Sequence, residues 1–518
     1  LLALLAGCSS EPPAAGKDVL VYGRGGDAQT LDPIHTDIGE SVKVMVNLYD
    51  TLVTYDDQTT DLVPAIAKEW SHSEDGLTWT FKLRDDVLFH DGTKLDAEAV
   101  VFSFERLLQD EHPHSYFANK PYLQSFTSIQ SVTAKDPTTV VFELKHPNAI
   151  FLQNLAMFPA SIVSPTAVKK YGKTFGDHPV GSGPFKFASW QRDQTVKLAA
   201  FEDHFRGPPG VEQLIFLRVA DNSTRAQQLR RGESHIADDL SPADLEALAT
   251  TPGMRVQEAQ SLNVCYLSMQ TQKGALQHVE VRRAIAHAID KQKLIEIVYG
   301  GHADPAVNMC PPAMAGHNAD IVDRAFDPAK AKAMLAAVAK EKDLKLPLKL
   351  TLATLTDPRP YLPQPKLAAS FIKDSLAEIG IIVETQPRNV NQHFDYVMAG
   401  KHELALAGWQ TDNNDVDNFL YQLLHSKNIS EGDQFGNNIS FYRNDEVDRL
   451  LSAGQTELDQ AKRVEIYHQA QQLIFDDAPT VPLAHGRLRC AQSDKVQGYV
   501  LHPTGLIRLR LAHFGGAK

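Results

Sequence analysis

Two short segments place groups of opposite charge at the ends of strand-like runs. The first, Thr354-Leu355-Thr356-Asp357-Pro358-Arg359-Pro360-Tyr361, offers a guanidinium and a phenol. The second, Gly408-Trp409-Gln410-Thr411-Asp412-Asn413-Asn414-Asp415-Val416-Asp417, offers an indole and carboxylates. A cation and an anion on one rim suit a small zwitterion with separated charges, such as an amino acid or a short peptide. The same residues also fit solvated loops, or an Arg359–Asp salt bridge of little worth at a surface. Residue type alone leaves both readings open.

Enzyme motifs are approached elsewhere but not completed. Gly23-Arg24-Gly25-Gly26-Asp27-Ala28 has the spacing of a dinucleotide fingerprint, which must open a helix. Leu31-Asp32-Pro33 follows instead, so these glycines, Gly26 among them, are expected to form a loop near a cleft. Gly181-Ser182-Gly183 lacks the outer glycine of a nucleophile elbow, Val180 standing in that neighbourhood, and predicts a tight turn before Pro184-Phe185. His402-Glu403 begins a zincin pair, but Leu406 occupies the second histidine position. Asn413, Asp415 and Asp417 follow part of a calcium loop, yet Asn418 replaces its glycine and Leu424 its closing glutamate. The 20 histidines are dispersed, without metal-ligand spacing. No catalytic residue, metal site or cofactor is expected, and the chain reads as a non-enzyme.

The two charged segments need a rigid support, and the surrounding pattern supplies one. Leu346, Leu348, Leu350 and Leu352 alternate as in a strand. A helix is expected from about Lys366 to Ile379, with Phe371, Leu376 and Ile379 inward and Gly380 as its stop. Ile381-Ile382-Val383-Glu384 predicts a second strand, Asn391 to Ala399 a short helix, and Leu404-Ala405-Leu406-Ala407 a third strand. Such a βαβαβ unit has parallel strands and right-handed crossovers. Ligands of open parallel sheets bind beyond the carboxyl ends of strands, where both charged segments begin. Upstream, one helix is expected over Val281 to Val298, with Ile285, Ala288, Ile289, Ile295 and Val298 on one side and Gly300-Gly301 ending it.

The rest of the chain continues the alternation of strand and helix, which argues an α/β fold. Val19-Leu20-Val21-Tyr22 reads as a first strand. Thr78 to Leu83 and Thr139 to Leu144 alternate with period two. They bracket a helix from about Asp96 to Leu108, in which Asp96 caps and Val100, Phe104 and Leu107 share a face. The section 54–174 thus reads as a subdomain of its own.

Composition narrows the class. The 518 residues are 43% hydrophobic and 22% charged, an ordinary globular mixture rather than that of a disordered chain. Lys plus Arg is 51 against 64 Asp plus Glu, a net charge of −13, which argues against nucleic acid as a partner. The chain begins Leu1-Leu2-Ala3-Leu4-Leu5-Ala6-Gly7-Cys8, then a Ser/Pro/Ala/Gly tether through Gly16. This reads as the end of a signal-peptide apolar region, and Leu5-Ala6-Gly7-Cys8 resembles the bacterial lipobox, with Cys8 taking the lipid. No other apolar run reaches the ~18 residues of a membrane span. A soluble body tethered by lipid outside the cytoplasm is expected, in the periplasm or cell envelope. With Cys8 so used, Cys265, Cys310 and Cys490 permit at most one internal disulfide.

Several separate segments together resemble the bacterial extracellular solute-binding proteins of family 5, the peptide- and nickel-type receptors of ABC importers. The most specific is Val87-Leu88-Phe89-His90-Asp91-Gly92-Thr93-Lys94-Leu95-Asp96-Ala97-Glu98-Ala99-Val100-Val101-Phe102-Ser103-Phe104-Glu105-Arg106, an F-H-D-G turn leading into an A-x-D-V-x-F-S-like helix. Glu98 stands where the signature has Asp, and Ala99 at its spacing residue. Leu62 to Trp70, Pro179 to Phe185, Val281 to Lys291 and Phe326 to Ala331 also match. The resemblance implies a two-lobed periplasmic-binding-protein-like fold (type II, class C) with an additional subdomain. Residues 19–53, 175–262 and 489–518 would form lobe I, 54–174 its subdomain, and 265–488 lobe II, after a signal remnant and tether over 1–18. Crossings near Leu262-Cys265 and Leu488-Cys490 would make Cys265 and Cys490 neighbours, with a disulfide as a minority possibility.

Gly408-Trp409-Gln410-Thr411-Asp412-Asn413 and Arg359-Pro360-Tyr361 resemble the dipeptide-binding branch most. By that resemblance Asp412 holds the ligand's amino group and Arg359 its carboxylate, with Tyr361 beside it and Trp409, Gly408 and Gly26 lining the site. The implied activity is capture of a dipeptide by hinge closure, as a monomer, and delivery to an ABC permease in the inner membrane. Haem, glutathione, an antimicrobial peptide or a longer oligopeptide are alternative cargoes within the class. A secreted peptidase, or a signalling or chaperone lipoprotein, would be a different class.

Overall fold

A computed structural model describes residues 18–411, 413–432 and 436–515. One 12-stranded mixed sheet runs through both lobes. Its continuity rests on the strand Thr480–Ser493. The first part of this strand pairs antiparallel with Asn263–Met269, and the second, from Arg487, with Met254–Gln260. Between the two, Asn263 clasps Gly486: Asn263 Nδ2 donates to Gly486 O (3.2 Å) and Gly486 N donates to Asn263 Oδ1 (2.8 Å). The chain therefore crosses between lobes at a point held by backbone-like hydrogen bonds.

The expected βαβαβ unit is present in the second lobe. Leu348–Leu355 lies between Ile381–Arg388 and Leu404–Gln410 and is parallel to both. The helices Pro365–Glu378 and Val390–Met398 make the crossovers. Pro365 suits the first helical turn, where its missing N–H is no loss, and Gly380 at φ +92° ends the same helix. Leu352, Ile372, Leu376, Leu404 and Leu406 are wholly buried in one apolar cluster. Each such side chain contributes about 1.5–3 kcal/mol by leaving water. The single helix expected over Val281 to Val298 is two: Val279–His287 and Lys291–Tyr299. Asp290 breaks it by capping the second, its carboxylate accepting from Lys293 N (3.0 Å).

In the first lobe, Val19–Arg24 is parallel to Gln213–Arg218 and Ile236–Ala237. A separate four-stranded antiparallel sheet comprises Ala67–His72, Thr78–Leu83, Thr139–Leu144 and Ile129–Asp136. The helix Ala97–Leu108 covers it, capped by Asp96, whose carboxylate accepts from Ala99 N (3.1 Å). Phe81, Phe104, Phe142 and Phe151 interlock beneath it, with the Phe104–Phe142 rings edge to face at 4.9 Å.

The F-H-D-G turn has a structural task. His90 N donates to Gly181 O (2.8 Å), and Gly181 N donates to His90 Nδ1 (3.3 Å). The ring's other nitrogen, Nε2, donates to Gly183 O (2.9 Å). This pattern requires a neutral imidazole, and burial pushes its pKa down to about 4. A Cβ on Gly181 or Gly183 would lie 2.2 or 2.8 Å from Leu48 O, so only glycine permits the turn to pack there. The turn expected before Pro184-Phe185 thus staples the separate sheet to the first lobe.

Cys265, Cys310 and Cys490 are buried free thiols. The neighbour relation expected for Cys265 and Cys490 does not form. Cys265 pairs with Ala484 of Thr480–Ser493, and Cys490 is six residues further along that extended strand, roughly 20 Å at ~3.3 Å per residue. No helix among the described residues is long and apolar enough to cross a membrane.

Candidate peptide-binding site

Arg359, Tyr361 and Gly408 meet beyond the carboxyl ends of two parallel strands, while Trp409, next along the same strand, faces the other side of the sheet and packs in a separate apolar cluster. Gly408 lies opposite Cys265 and Trp409 opposite Val264 in the antiparallel ladder. A Cβ on Gly408 would fall 2.1 Å from Tyr361 Cδ2, so the tyrosine ring packs directly on the glycine backbone. Tyr361 is buried, and its carbonyl accepts from Tyr299 hydroxyl (2.6 Å). The segment is closed by reciprocal hydrogen bonds between the backbones of Arg359 and Leu362 (3.0 and 2.9 Å).

The Arg359 guanidinium lies 6.0 Å from the centroid of the Tyr361 ring. Its Nε is buried and meets no acceptor, and the side chain makes no ion pair among the described residues. The Arg359–Asp bridge that the sequence left open is thus not formed with Asp357 or any other described acid. Burial raises the pKa of Tyr361, and the adjacent guanidinium opposes that shift. The result is a fixed, partly desolvated cation with donors to spare, beside a neutral phenol.

Asp412 and Cys8 lie outside the described residues. The residues flanking Asp412 are firmly held. Thr411 N donates to Leu262 O (3.1 Å), and Asn413 N donates to Thr411 Oγ1 (3.1 Å). Trp409 Nε1 donates to Asn418 Oδ1 (2.7 Å) at the start of the helix Asp417–Leu424. The acids that resembled part of a calcium loop serve the fold. Asp415 receives both ends of the Arg463 guanidinium (2.7 and 2.8 Å), and Asp417 accepts from Tyr467 hydroxyl (2.8 Å). Burial, reinforced by Asp415, pushes the Asp417 pKa up to about 6. Arg463 and Tyr467 therefore brace the loop from below.

Gly26 stands just past the end of Val19–Arg24, in the loop expected, with no helix following until Gly39–Met45. A Cβ there would lie 2.9 Å from Glu40 Cγ, so its close neighbour is Glu40 of the first lobe, and its place is apart from the Arg359–Tyr361–Gly408 cluster.

Sequence reasoning missed three residues that meet the loop from the other lobe. Asn414 N donates to Tyr55 hydroxyl (3.3 Å), Asn414 Nδ2 to Thr60 Oγ1 (2.5 Å), and Asn413 Nδ2 to Asn154 Oδ1 (3.3 Å). The lobes also meet where Ala149 N donates to Gln455 O (2.8 Å). The molecule is closed over the site. No periodicity marks Tyr55, Thr60 or Asn154, because their partners lie more than 250 residues away in sequence.

The family model described as "Bacterial extracellular solute-binding proteins, family 5 Middle" matches residues 61–431. The chain belongs to the bacterial extracellular solute-binding proteins of family 5. Among relatives in this family, the dipeptide-binding protein of Escherichia coli is 33% identical over 479 residues, 89% of this chain and 88% of that one. Heme-binding protein A of Haemophilus influenzae is also 33% identical, over 88% of this chain and 85% of its own. The structure of the ABC transporter-associated periplasmic binding protein DppA from Helicobacter pylori, in complex with the peptide STSA, is 33% identical with a TM-score of 0.78. That match covers 96% of this chain and 98% of the other. The fold of this family 5 protein is the two-lobed periplasmic-binding-protein fold. Family 5 proteins bind substrates for transporters rather than transform them.

Proposed function

We propose that this family 5 protein is the lipid-anchored receptor of an ABC importer and captures dipeptides between its lobes for delivery to the permease. The observation that carries this reading is the Arg359 guanidinium, partly buried beside Tyr361 with Nε lacking an acceptor. A ligand carboxylate satisfies it by charge-assisted hydrogen bonds. Asp412, two residues beyond Gln410 where Leu404–Gln410 ends, takes the ligand's amino group. The Gly408–Tyr361 surface lines the span between them, Trp409 flanks it on the same strand, and Gly26 packs on Glu40 in the first lobe instead. Backbone and aromatic surfaces tolerate many side chains, while the two charges fix ligand length. Support comes from the relatives named for dipeptide binding and from the peptide-bound neighbour. Cys8 carries the lipid, and the protein acts as a periplasmic monomer.

Calorimetry with a dipeptide, its N-acetyl form and its amide tests the charge clamp. Each blocked form is expected to bind weaker by ~2–5 kcal/mol, because one buried charge stays unpaired. Equal affinity for all three would sink the reading. A second cargo, haem, is favoured by the relative named for heme binding. A Soret band retained after gel filtration of protein mixed with haem is its signature.

A further inference from the structure

We infer that a cavity lined by the first lobe, distinct from the Arg359–Tyr361–Gly408 cluster, is a binding site for a small anion of carboxylate type. The cavity has a volume of about 60 Å³ and is lined by Asp50, Asp57, His204, Arg206, Arg508 and Arg510 together with apolar and hydroxyl neighbours. Among the described residues no lining residue comes from the stretch 263–488, so Arg359, Tyr361, Gly408 and Trp409 take no part in it.

Charge around the cavity does not balance. Asp57 accepts from Arg510 Nη2 (2.9 Å) and Arg206 Nη2 (3.4 Å), and so is already shared by two cations. Asp50 accepts from Ser182 Oγ (3.0 Å). Arg508 is left without an ion pair among the described residues. Among the described residues its hydrogen bond runs from Nη1 to Tyr55 O (2.9 Å), and its guanidinium lies 5.9 Å from the Tyr55 ring centroid. His204 Nε2, buried without a hydrogen bond, lies 3.4 Å from Asp50 Oδ2. Three guanidiniums therefore face two carboxylates around the cavity.

The Arg508 guanidinium is half-buried, and Asp57 and Asp50 act on it without forming an ion pair, so a small anion set between the guanidiniums gains charge-assisted contacts. The free edge of Arg508 presents parallel N–H donors that match a carboxylate fork. One water needs ~10–15 Å³ on this scale, so the volume admits an ion the size of formate, acetate or a halide, but not a peptide. An anion there fixes Arg508 and, through it, the backbone of Tyr55, whose hydroxyl meets Asn414 in the other lobe.

The test uses the whole protein in buffer free of small anions other than a bulky sulfonate. Sodium formate and sodium bromide are titrated while thermal unfolding is followed by circular dichroism. A saturable rise in Tm is expected for the unaltered protein and its loss in Arg508→Met. An equal rise in both proteins, the signature of a general salt effect, overturns the proposal, as does no rise in either. Should the variant fail to fold, crystals of the unaltered protein soaked in bromide decide. An anomalous peak within hydrogen-bond reach of the Arg508 guanidinium supports the site, and water alone in the cavity overturns it.

Discussion

Replacing Arg359 by Met removes the cation while keeping much of the aliphatic stem. This side chain pairs with no described acid, and its Nε meets no acceptor. Its removal is therefore expected to leave thermal stability nearly unchanged, since a half-buried cation is lost and no described acid is left unpaired. Binding should respond very differently. Truncating one partner of a buried charge pair costs ~2–5 kcal/mol. At about 1.4 kcal/mol per tenfold, that is a loss of roughly 30-fold to several thousand-fold in dipeptide affinity. Arg359→Lys keeps charge but not the planar fork, so its affinity should fall between the two. The decisive design is a cycle of two proteins and two ligands, measured calorimetrically. The dipeptide amide should lose affinity for the native protein and lose no further affinity for Arg359→Met. If the variant weakens the amide and the free acid by the same factor, Arg359 does not hold the carboxylate, and the reasoning fails.

Further expectations concern the support of the site. Gly408→Ala puts a methyl 2.1 Å from Tyr361 Cδ2 and must displace a buried ring. A cost of ~1–3 kcal/mol in urea unfolding is expected, with weakened dipeptide binding, and an unchanged midpoint would show that the ring moves freely. Asn414→Ala removes the hydrogen bond to Thr60 across the lobes. One neutral hydrogen bond is worth ~0.5–1.5 kcal/mol, so dissociation by stopped flow should quicken about 2- to 13-fold. An unaltered off-rate would mean that this contact does not hold the lobes shut. Burial lowers the pKa of His90, His393 and His485 to about 4 and that of His402 to about 3. Between the unfolded value near ~6.5 and those folded values, the unfolded chain binds protons that the folded chain refuses. Stability is full above that window and falls as pH drops through it, by up to ~1.4 kcal/mol per histidine per pH unit. Asp238 and Asp417, raised to about 6, offset part of the fall because their folded forms take up protons first. The urea midpoint should thus be lower at pH 5 than at pH 7, and an equal or higher midpoint would contradict neutral buried imidazoles.

Much of the second lobe was legible because its signals are local. Leucine alternation, the apolar face of the following helix and Gly380 as its stop mark the βαβαβ unit within about 60 residues, and strand direction then places the Arg359 and Gly408 segments on one rim. The break at Asp290 was masked because the apolar stripe continues in phase on both sides of a capping residue. The cysteine relation failed for a geometric reason: an extended strand carries Cys490 away from Cys265 even though both belong to strands at the crossing. The contacts of Tyr55, Thr60 and Asn154 with Asn413 and Asn414 leave no trace in pattern or propensity, since isolated polar groups in loops pair only once the lobes close. Likewise the partial calcium-loop pattern around Asp415 gave no hint of its actual partner, Arg463, 48 residues on.

The cargo itself is the most direct test of the account. Native mass spectrometry of the protein, purified without unfolding, reads the mass of any ligand carried from the cell. The account predicts adducts with the masses of a mixture of dipeptides, displaced by an added dipeptide and not by its N-acetyl amide. A haem adduct, or a population of longer peptides that a dipeptide does not displace, would contradict it.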